Sequence, residues 1–430
     1  MKRFVIKLML LCFIITNFAT NAYGEELQLS ANSSVLMDAA SGQVLLSKNA
    51  DEKINPSSTT MVLTALVALD NVKLDEVITV TAEAIELGVG SDFKLQEGER
   101  LTVEQLIASM FLQSSGDAAM ALAFHVGGTL GEFSKMMNEK AKEIGMTNSN
   151  FINPSGIHDE EHKSTARDMA KLMAYAMKVK SVEKLLSYKE FTIPPTNKTT
   201  APRSINNISK LFDNQGTVDV GGKTVAIAYE GLVASKAGYS DMAKNCMLSA
   251  ATRGDLTLIV TVFGAEGANV YSDTHALFNF GFANFKIATI IKANEFVDNF
   301  TITNSKEEIV PAVVKEGFTM PILDGQTFDV ERVVRELKVD LPLKKGDPIA
   351  EMDIRVNGEI VSTLPIVTTI DVNNKTAFRV WPILQKIFIP LFAIILFLFI
   401  IMLIIRQRNR RKKKLRLQQK RRQERIKRRY

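Results

Sequence analysis

The alternation of apolar and polar residues predicts helices in the first half of the chain and strands later. Residues 34–38 and 43–47 flank a short turn that contains Gly42, which predicts a hairpin. An apolar run with helical spacing then covers residues 58–70. Capping residues and stop signals predict further helices from 102 to an interruption at 114–116, over 117–126, over 130–144, and from 165 onward.

Strand-like runs dominate after residue 224. They cover 234–239, 245–252 and 256–263, and a last helix is predicted at 273–282. Because strands lie at both ends of a helical region, we expect one sheet closed by distant parts of the chain. From about 301 to 372 no helical period persists, and strands are predicted at 309–314, 328–337, 348–356 and 359–366. With Asn357-Gly358 as a hairpin signal, this region predicts a small all-β module.

Both ends of the chain have the composition of membrane-targeting segments. Residues 1–24 have a basic start, an apolar stretch and small residues near Gly24, as in a cleavable secretory signal, with an uncleaved N-terminal anchor as the alternative. Residues 387–405 carry no charge and form about 28 Å of helix, the thickness of a bilayer core. Residues 406–430 contain 15 Lys and Arg against the single acid Glu424, which predicts a cytoplasmic tail.

The charge distribution supports that division. The formal net charge is +6, yet residues 25–405 alone carry −11, so the basic character belongs to the tail. Beside a membrane span, a basic run is typical of stop-transfer and attraction to anionic lipid rather than nucleic-acid binding. Once the signal is removed, Cys246 is the only cysteine, so an internal disulfide is excluded.

A serine opens the first helix, and a methionine follows one turn later. Ser58 and Met61 are separated by three positions, which brings their side chains together on a helix. The segment resembles the nucleophile helix of the penicillin-binding proteins, Ser-x-x-Lys, in which the lysine takes the proton of the serine. A thioether has no useful basicity, so this chain lacks the usual base.

The resemblance extends over roughly 250 residues, with order and spacing preserved. The chain resembles the serine-type D-alanyl-D-alanine carboxypeptidases, the low-molecular-mass penicillin-binding proteins. The matching segments are Val35-Leu36-Met37-Asp38, Pro56-Ser57-Ser58-Thr59-Thr60, Leu63-Thr64-Ala65-Leu66, Glu97-Gly98-Glu99-Arg100-Leu101-Thr102-Val103, Asp117-Ala118-Ala119, Asn138-Glu139-Lys140-Ala141, Phe151-Ile152-Asn153-Pro154-Ser155-Gly156 and Ser164-Thr165-Ala166-Arg167-Asp168. The resemblance implies an α/β fold of the β-lactamase/transpeptidase type, with an antiparallel sheet flanked by helices. A small all-β C-terminal domain and one transmembrane helix complete the expected layout.

The resemblance and the composition of the two ends together give the expected domain boundaries. They are a signal peptide at 1–24, a carboxypeptidase-like domain at 25–290, a β-rich domain at 300–375, a transmembrane helix at 387–405 and a basic tail at 406–430.

The resemblance assigns roles to the residues that the three family motifs retain. Ser58 is the candidate nucleophile, and Ser114 and Lys236 are the other candidate catalytic residues. The backbone N–H groups of Ser58 and Tyr239, next to Gly238, would form an oxyanion hole. With the lysine of the first motif absent, Lys236 is also a candidate substitute base and the residue expected to attract a substrate carboxylate.

Each motif has also lost one functional side chain. Met61 replaces the lysine of Ser-x-x-Lys, Gly116 replaces the asparagine of Ser-x-Asn, and Ala237 replaces the threonine of Lys-Thr-Gly. Loss of one member of a concerted catalytic unit costs up to about 10⁶-fold in rate. Loss of each substrate hydrogen bond adds about 0.5–1.5 kcal/mol. Three independent losses predict inefficient turnover.

Two further patterns carry less weight. Ser181 and Lys184 match Ser-x-x-Lys literally but lie far from the family position of this motif. His158 and His162 have the i, i+4 spacing of a zinc helix, but Asp159 stands where a glutamate is expected and a Pro-Ser-Gly loop precedes them. We therefore expect no metal site and no cofactor.

The sequence predicts a membrane-anchored carboxypeptidase-family protein of peptidoglycan metabolism that is catalytically impaired and acts in binding or regulation. The alternative is a slow but active enzyme that trims stem pentapeptides through Ser58. The expected ligands are the D-Ala-D-Ala end of a stem peptide or a β-lactam, and the expected location is the cell membrane with the main domain outside. The tail offers a surface for a protein partner, and no nucleic acid is expected.

Overall fold

The main sheet joins the two ends of the first domain. The computed structural model describes residues 27–88, 93–213, 215–325, 329–356, 358–375 and 380–427. Five strands lie in the order β2-β1-β11-β10-β9, and their bounds are β1 Ser33–Asp38, β2 Val44–Lys48, β9 Leu232–Ser240, β10 Lys244–Arg253 and β11 Leu256–Ala265. All pairs are antiparallel, and Val35 of β1 lies opposite Thr261 of β11. The first strands of the chain therefore pair with strands more than 200 residues later, as the pattern predicted.

The sheet is buried on both faces because its apolar residues alternate between two clusters. Val35 and Met37 of β1 pack in the cluster formed with the helical layer, whereas Leu36 packs in a second cluster with Phe278. Successive side chains of a strand point to opposite faces, so a continuous apolar run is required here. The strand that carries Lys236, β9, lies at the edge of this sheet and pairs with β10.

The helical layer follows the capping residues seen in the sequence. Thr102 forms a complete capping box with Gln105, and Thr129 and Thr165 accept from backbone N–H groups three residues on. The helices are α1 Met61–Asn71, α2 Ala82–Leu87, α3 Val103–Gln113, α4 Gly116–Gly127, α5 Leu130–Ile144, α6 Ala166–Ala176, α7 Lys180–Leu186 and α8 Asn269–Asn284. The predicted helix over 58–70 begins differently, because Ser57–Thr60 form a 3-10 turn ahead of α1. The last helix, α8, is longer than predicted at both ends.

Short strands connect these helices. They are β3 Val77–Thr79, β4 Arg100–Thr102, β5 Glu190–Ile193, β6 Arg203–Asn206, β7 Thr217–Val220 and β8 Lys223–Ala226. The four strands between 190 and 226 precede the region in which strands were expected. Each has only four residues, so even where apolar and polar residues alternate the pattern is too short to identify a strand.

The chain divides into two compact units, the first of which contains residues 27–293 together with 317–330 and 356–359 of the described part. A small two-stranded sheet of this first unit pairs β12 Phe285–Ile291 with β15 Phe318–Leu323.

The second unit contains most of a five-stranded sheet in the order β13-β14-β18-β17-β16. Its strands are β13 Phe296–Phe300, β14 Val310–Val314, β16 Val330–Glu336, β17 Pro348–Val356 and β18 Glu359–Thr368. Within it, Arg335 donates two hydrogen bonds to the buried Asp353 at 3.0 and 3.1 Å, and Thr363 donates a third at 2.7 Å. The Arg335 guanidinium lowers the pKa of Asp353. The predicted hairpin residue Asn357 lies outside the described residues.

One long helix, α9, covers Val380–Lys427. Within the described residues, its part Leu384–Arg421 is the one helix that is long and apolar enough to cross a membrane, judged by length and composition alone. The predicted signal peptide at 1–24 lies outside the described residues.

Candidate active site

Ser58 lies in the short 3-10 turn that precedes α1. The residue before it, Ser57, has φ of +49°, a left-handed conformation that is unusual for a residue with a side chain. The loop at Gly156 packs directly on this turn, since a Cβ at Gly156 would lie 1.8 Å from the Ser57 carbonyl oxygen. Ser58 itself is half-buried. The fold therefore holds the candidate nucleophile at the surface of a tightly packed turn.

Met61 is the first residue of α1 and is only 1% exposed. Its side chain belongs to the main hydrophobic cluster, together with Leu63 and Phe111. Because a thioether is uncharged and not basic, Met61 offers Ser58 no proton acceptor. The position that the resemblance assigns to the base has become part of the core.

The second motif lies where α3 ends and α4 begins. Ser114 is the C-cap of α3 with φ of +52°, and it keeps 9% of its surface exposed. The next hydroxyl, that of Ser115, is fully buried and donates to Asp117. Asp117 also accepts the N–H of Leu95 at 2.7 Å and that of Ala118 at 2.9 Å. The Ser115 hydroxyl thus stabilises the start of α4, whereas the Ser114 hydroxyl takes no part in these hydrogen bonds.

Lys236, on β9, reaches across to Ser114. Its Nζ lies 2.6 Å from Ser114 Oγ and donates to the carbonyl oxygen of Ala237 at 3.0 Å. The side chain is 0% exposed, and this burial lowers the pKa of Lys236 to about 7. Lys236 is therefore fully buried, and its amine is engaged by Ser114 and Ala237. The predicted attraction of a substrate carboxylate to Lys236 stays a prediction.

Strand β9 also passes next to the serine turn. A Cβ at Gly238 would lie 3.1 Å from the backbone N of Ser58 and 3.2 Å from that of Thr59. Only a residue without a side chain fits this approach comfortably. Ala237 is half-buried and Tyr239 is 60% exposed. The structure thus brings the Ser58 turn next to Gly238, and Lys236, on the same strand, to Ser114.

His162 lies near the site, and the sequence analysis gave it no role there. It lies in a loop, its Nε2 is 3.0 Å from Thr60 Oγ1, and its Nδ1 accepts the N–H of Ile152 at 3.1 Å. The accepting Nδ1 places the proton on Nε2, which donates to Thr60. Burial lowers the pKa of His162 to about 4. The neutral ring therefore connects the 151–162 loop to the serine turn. The other histidine of the i, i+4 spacing, His158, is exposed.

Two other residues that the sequence analysis named take no part in these contacts. Lys184 is exposed on α7, with its ammonium 5.9 Å from the centre of the Tyr188 ring. Cys246 lies opposite Gly238 in the sheet and is buried, which raises the pKa of its thiol to about 12. In the part of the chain that the structure describes, no group of three or more His, Cys, Asp or Glu is placed to hold a metal ion.

Comparison with known proteins identifies the family. The family model described as D-alanyl-D-alanine carboxypeptidase matches residues 19–267, and that of the penicillin-binding protein 5 C-terminal domain matches residues 285–374. The D-alanyl-D-alanine carboxypeptidase DacC of Escherichia coli (strain K12) is 32% identical over 387 residues, which are 86% of this chain and 92% of that protein. DacF of Bacillus subtilis (strain 168), also named D-alanyl-D-alanine carboxypeptidase, is 28% identical over 392 residues, 87% of this chain and 95% of that protein.

Solved structures agree in fold. Penicillin binding protein 5 from Haemophilus influenzae superimposes with a TM-score of 0.66 at 23% identity, over 82% of this chain and 100% of that one. The predicted fold class, a β-lactamase/transpeptidase-like domain followed by an all-β domain, is confirmed. The chain therefore belongs to the D-alanyl-D-alanine carboxypeptidase family of peptidoglycan metabolism, the low-molecular-mass penicillin-binding proteins.

Proposed function

We propose that this protein is a membrane-anchored, catalytically impaired member of its family that binds the D-Ala-D-Ala ends of peptidoglycan stem peptides. The observation that carries the proposal is Met61, 1% exposed and packed in the core one turn after Ser58. No hydrogen bond joins Ser58 Oγ to another group in the described part of the chain. Ser58 is therefore a hydroxyl without a neighbouring base.

The backbone around Ser58 keeps the geometry that ligand binding would need. Gly238 still allows β9 to approach the backbone N–H groups of Ser58 and Thr59 closely. The N–H groups of Ser58 and Tyr239 would suit the carbonyl oxygen of a peptide or β-lactam, whereas that of Thr59 donates to the Pro56 carbonyl oxygen at 3.2 Å. The losses at Gly116 and Ala237 weaken such binding by about 0.5–1.5 kcal/mol per hydrogen bond, which leaves moderate affinity.

Membrane anchoring is part of the proposal. The uncharged segment at 387–405 is followed directly by the basic residues 406–430, the arrangement of a single-pass anchor with a cytoplasmic tail. The main domain would then face the cell wall, where its ligand is. The tail would bind anionic lipid headgroups or a protein partner.

The second candidate is a slow carboxypeptidase that uses Ser58. The half-buried, accessible position of Ser58 favours it, because a hydroxyl beside backbone N–H groups keeps some reactivity without a base. The buried Lys236 is not placed to assist directly, since its Nζ is engaged with Ser114 and Ala237.

One experiment separates the two candidates. The full-length chain, purified in mild detergent, is incubated with a fluorescent penicillin, and adducts are located by intact mass and peptide mapping, with Ser58→Ala as the control. We expect no adduct on Ser58. A covalent adduct on Ser58 that the control lacks would show that the serine is still activated and would favour the enzyme.

Ligand binding is measured in parallel with a peptide that ends in D-Ala-D-Ala and with its L-Ala-L-Ala counterpart. We expect saturable binding of the first peptide only. Equal binding of both peptides, or of neither, would contradict the proposed ligand.

A further inference from the structure

The site retains one amine, and that amine is bonded to a different serine from the family nucleophile. Lys236 Nζ lies 2.6 Å from Ser114 Oγ, across 122 positions of sequence. The neighbouring Ser115 hydroxyl is engaged with Asp117 and fully buried. Ser114 is therefore the hydroxyl of this site that has a potential base in hydrogen-bond contact.

The two partners differ in burial. Lys236 is 0% exposed, and Ser114, although buried, keeps 9% of its surface open. Ser114 is therefore the partner with some contact to solvent. Ser114 is also held at φ of +52°, and such strained positions of residues with side chains concentrate at functional sites.

The environment of Lys236 favours the neutral amine that a base requires. Burial is the cause of its lowered pKa of about 7, and no acidic side chain contributes to the shift. In the neutral form, one N–H continues to donate to the Ala237 carbonyl, and the lone pair is free to accept the proton of Ser114. The hydrogen bonds of the pair are thus satisfied before and during proton transfer.

We propose that Ser114, activated by Lys236, is the nucleophile that remains in this protein and that it is acylated by β-lactams. The inference rests on the proposed function, because it applies only if Ser58 has lost its activation through Met61. Both proposals concern one site, but they differ in which serine carries the acyl group.

The step balances without another reactant. The Ser114 oxygen attacks the carbonyl carbon of the β-lactam while its proton moves to Lys236 Nζ, which becomes an ammonium. The new C–O bond forms as the ring C–N bond breaks. The released nitrogen takes a proton from the Lys236 ammonium, which returns the lysine to its neutral form. The product is an ester on Ser114.

The test is the site of covalent labelling. Full-length protein in detergent is incubated with a fluorescent penicillin for hours, and the labelled peptide is identified by mass spectrometry. We expect the label on the peptide that contains Ser114. The label should persist in Ser58→Ala, disappear in Ser114→Ala, and form about 100-fold more slowly in Lys236→Met, the value of general base assistance.

Controls separate chemistry from folding. Lys236→Met keeps the length and apolar stem of the lysine, and its thermal unfolding should match that of the wild type within a few degrees. Ser181→Ala, which removes the serine three residues before the exposed Lys184, should label normally. Labelling on Ser58 would overturn both this inference and the proposed function. If the folded protein takes no label at all, this inference is wrong and the proposed function stands. The same holds if Ser114 is labelled but Lys236→Met does not slow the labelling.

Discussion

At the scale of single residues, the site is governed by which titratable groups the fold buries. Lys236 and His162 are both buried, and burial lowers the pKa of each. The cause is that a charged group loses its hydration in the protein interior. The neutral His162 accepts from Ile152 and donates to Thr60, so it bridges the loop and the serine turn only while it is uncharged.

His162 should therefore make the protein sensitive to acid. Its pKa is about 4 in the folded protein and 6.5 in the unfolded chain. Between these values the unfolded chain binds the proton and the folded protein does not, so the free energy of unfolding falls as the pH falls. The full loss is about 3 kcal/mol, complete below pH 4 and absent above about 6.5.

The measurement is urea unfolding at several pH values between 4 and 7, for the wild type and for His162→Gln. Glutamine offers one acceptor and one donor but does not titrate, so the difference between the two curves isolates the histidine. Parallel curves would show that His162 does not carry the expected acid sensitivity.

The substitution Met61→Lys tests the proposal that Ser58 lacks activation because position 61 carries no base. If the frame of the motif is intact, the restored amine should raise penicillin acylation of Ser58 by about 10² or more, despite the changes at Gly116 and Ala237. The buried position of Met61 means that the variant will be less stable, so its folding is checked by circular dichroism. The double variant Ser58→Ala/Met61→Lys should show no gain; a folded Met61→Lys protein without a gain would indicate a site damaged beyond its base.

At the scale of elements, the serine turn is positioned by loops and strands that come from distant parts of the sequence. Gly156 supports it from one side and Gly238 from the other, each through a close backbone approach. The sequence shows that these positions are glycines, but the contacts explain why. The Gly156 contact is also the place where the turn is most sensitive to substitution.

Gly156→Ala should destabilise the protein by more than about 2 kcal/mol, because its Cβ would lie 1.8 Å from the Ser57 carbonyl oxygen. The matched control is Gly145→Ala. Gly145 has a similar φ, +85° against +78°, but a Cβ there meets nothing within 4 Å. This control should lose only about 1 kcal/mol, the cost of the left-handed backbone. Equal losses in urea unfolding would show that the contact with Ser57 is unimportant.

At the scale of the whole molecule, the basic residues and the long apolar segment occupy different parts of the chain. The tail carries 15 basic residues, whereas residues 25–405 are net acidic. α9 is continuous from Val380 to Lys427 and includes both the apolar segment and most of the basic one. Membrane attachment is therefore expected to depend on the apolar part of this helix and not on the tail.

Two truncations test that expectation. A chain ending at residue 379 should move from the membrane fraction to the soluble fraction, because it lacks the uncharged segment 387–405. A chain ending at residue 405 should remain in the membrane fraction and resist extraction with salt. If the shorter chain still sediments with membranes after its signal is removed, another part of the protein mediates attachment.

Much of the fold was predictable because its signals are local. Thr102 and Thr165 cap helices through residues three positions away, and the apolar runs of β10 and β11 mark strands buried on both faces. The short strands between 190 and 226 were missed because each spans only four residues, with at most two apolar residues in alternation.

The sequence by itself determined the family resemblance, the order of the three motifs and the replacement of the base by Met61, since these depend only on residue identity and spacing. Tertiary structure decided which groups meet. Lys236 bonds Ser114 across 122 positions, and His162 bonds Thr60 across 102. No local pattern encodes such contacts, because they arise when the packing of strands, loops and turns brings distant segments together and excludes water from them. The burial of Lys236, and with it its lowered pKa, exists only in the folded protein.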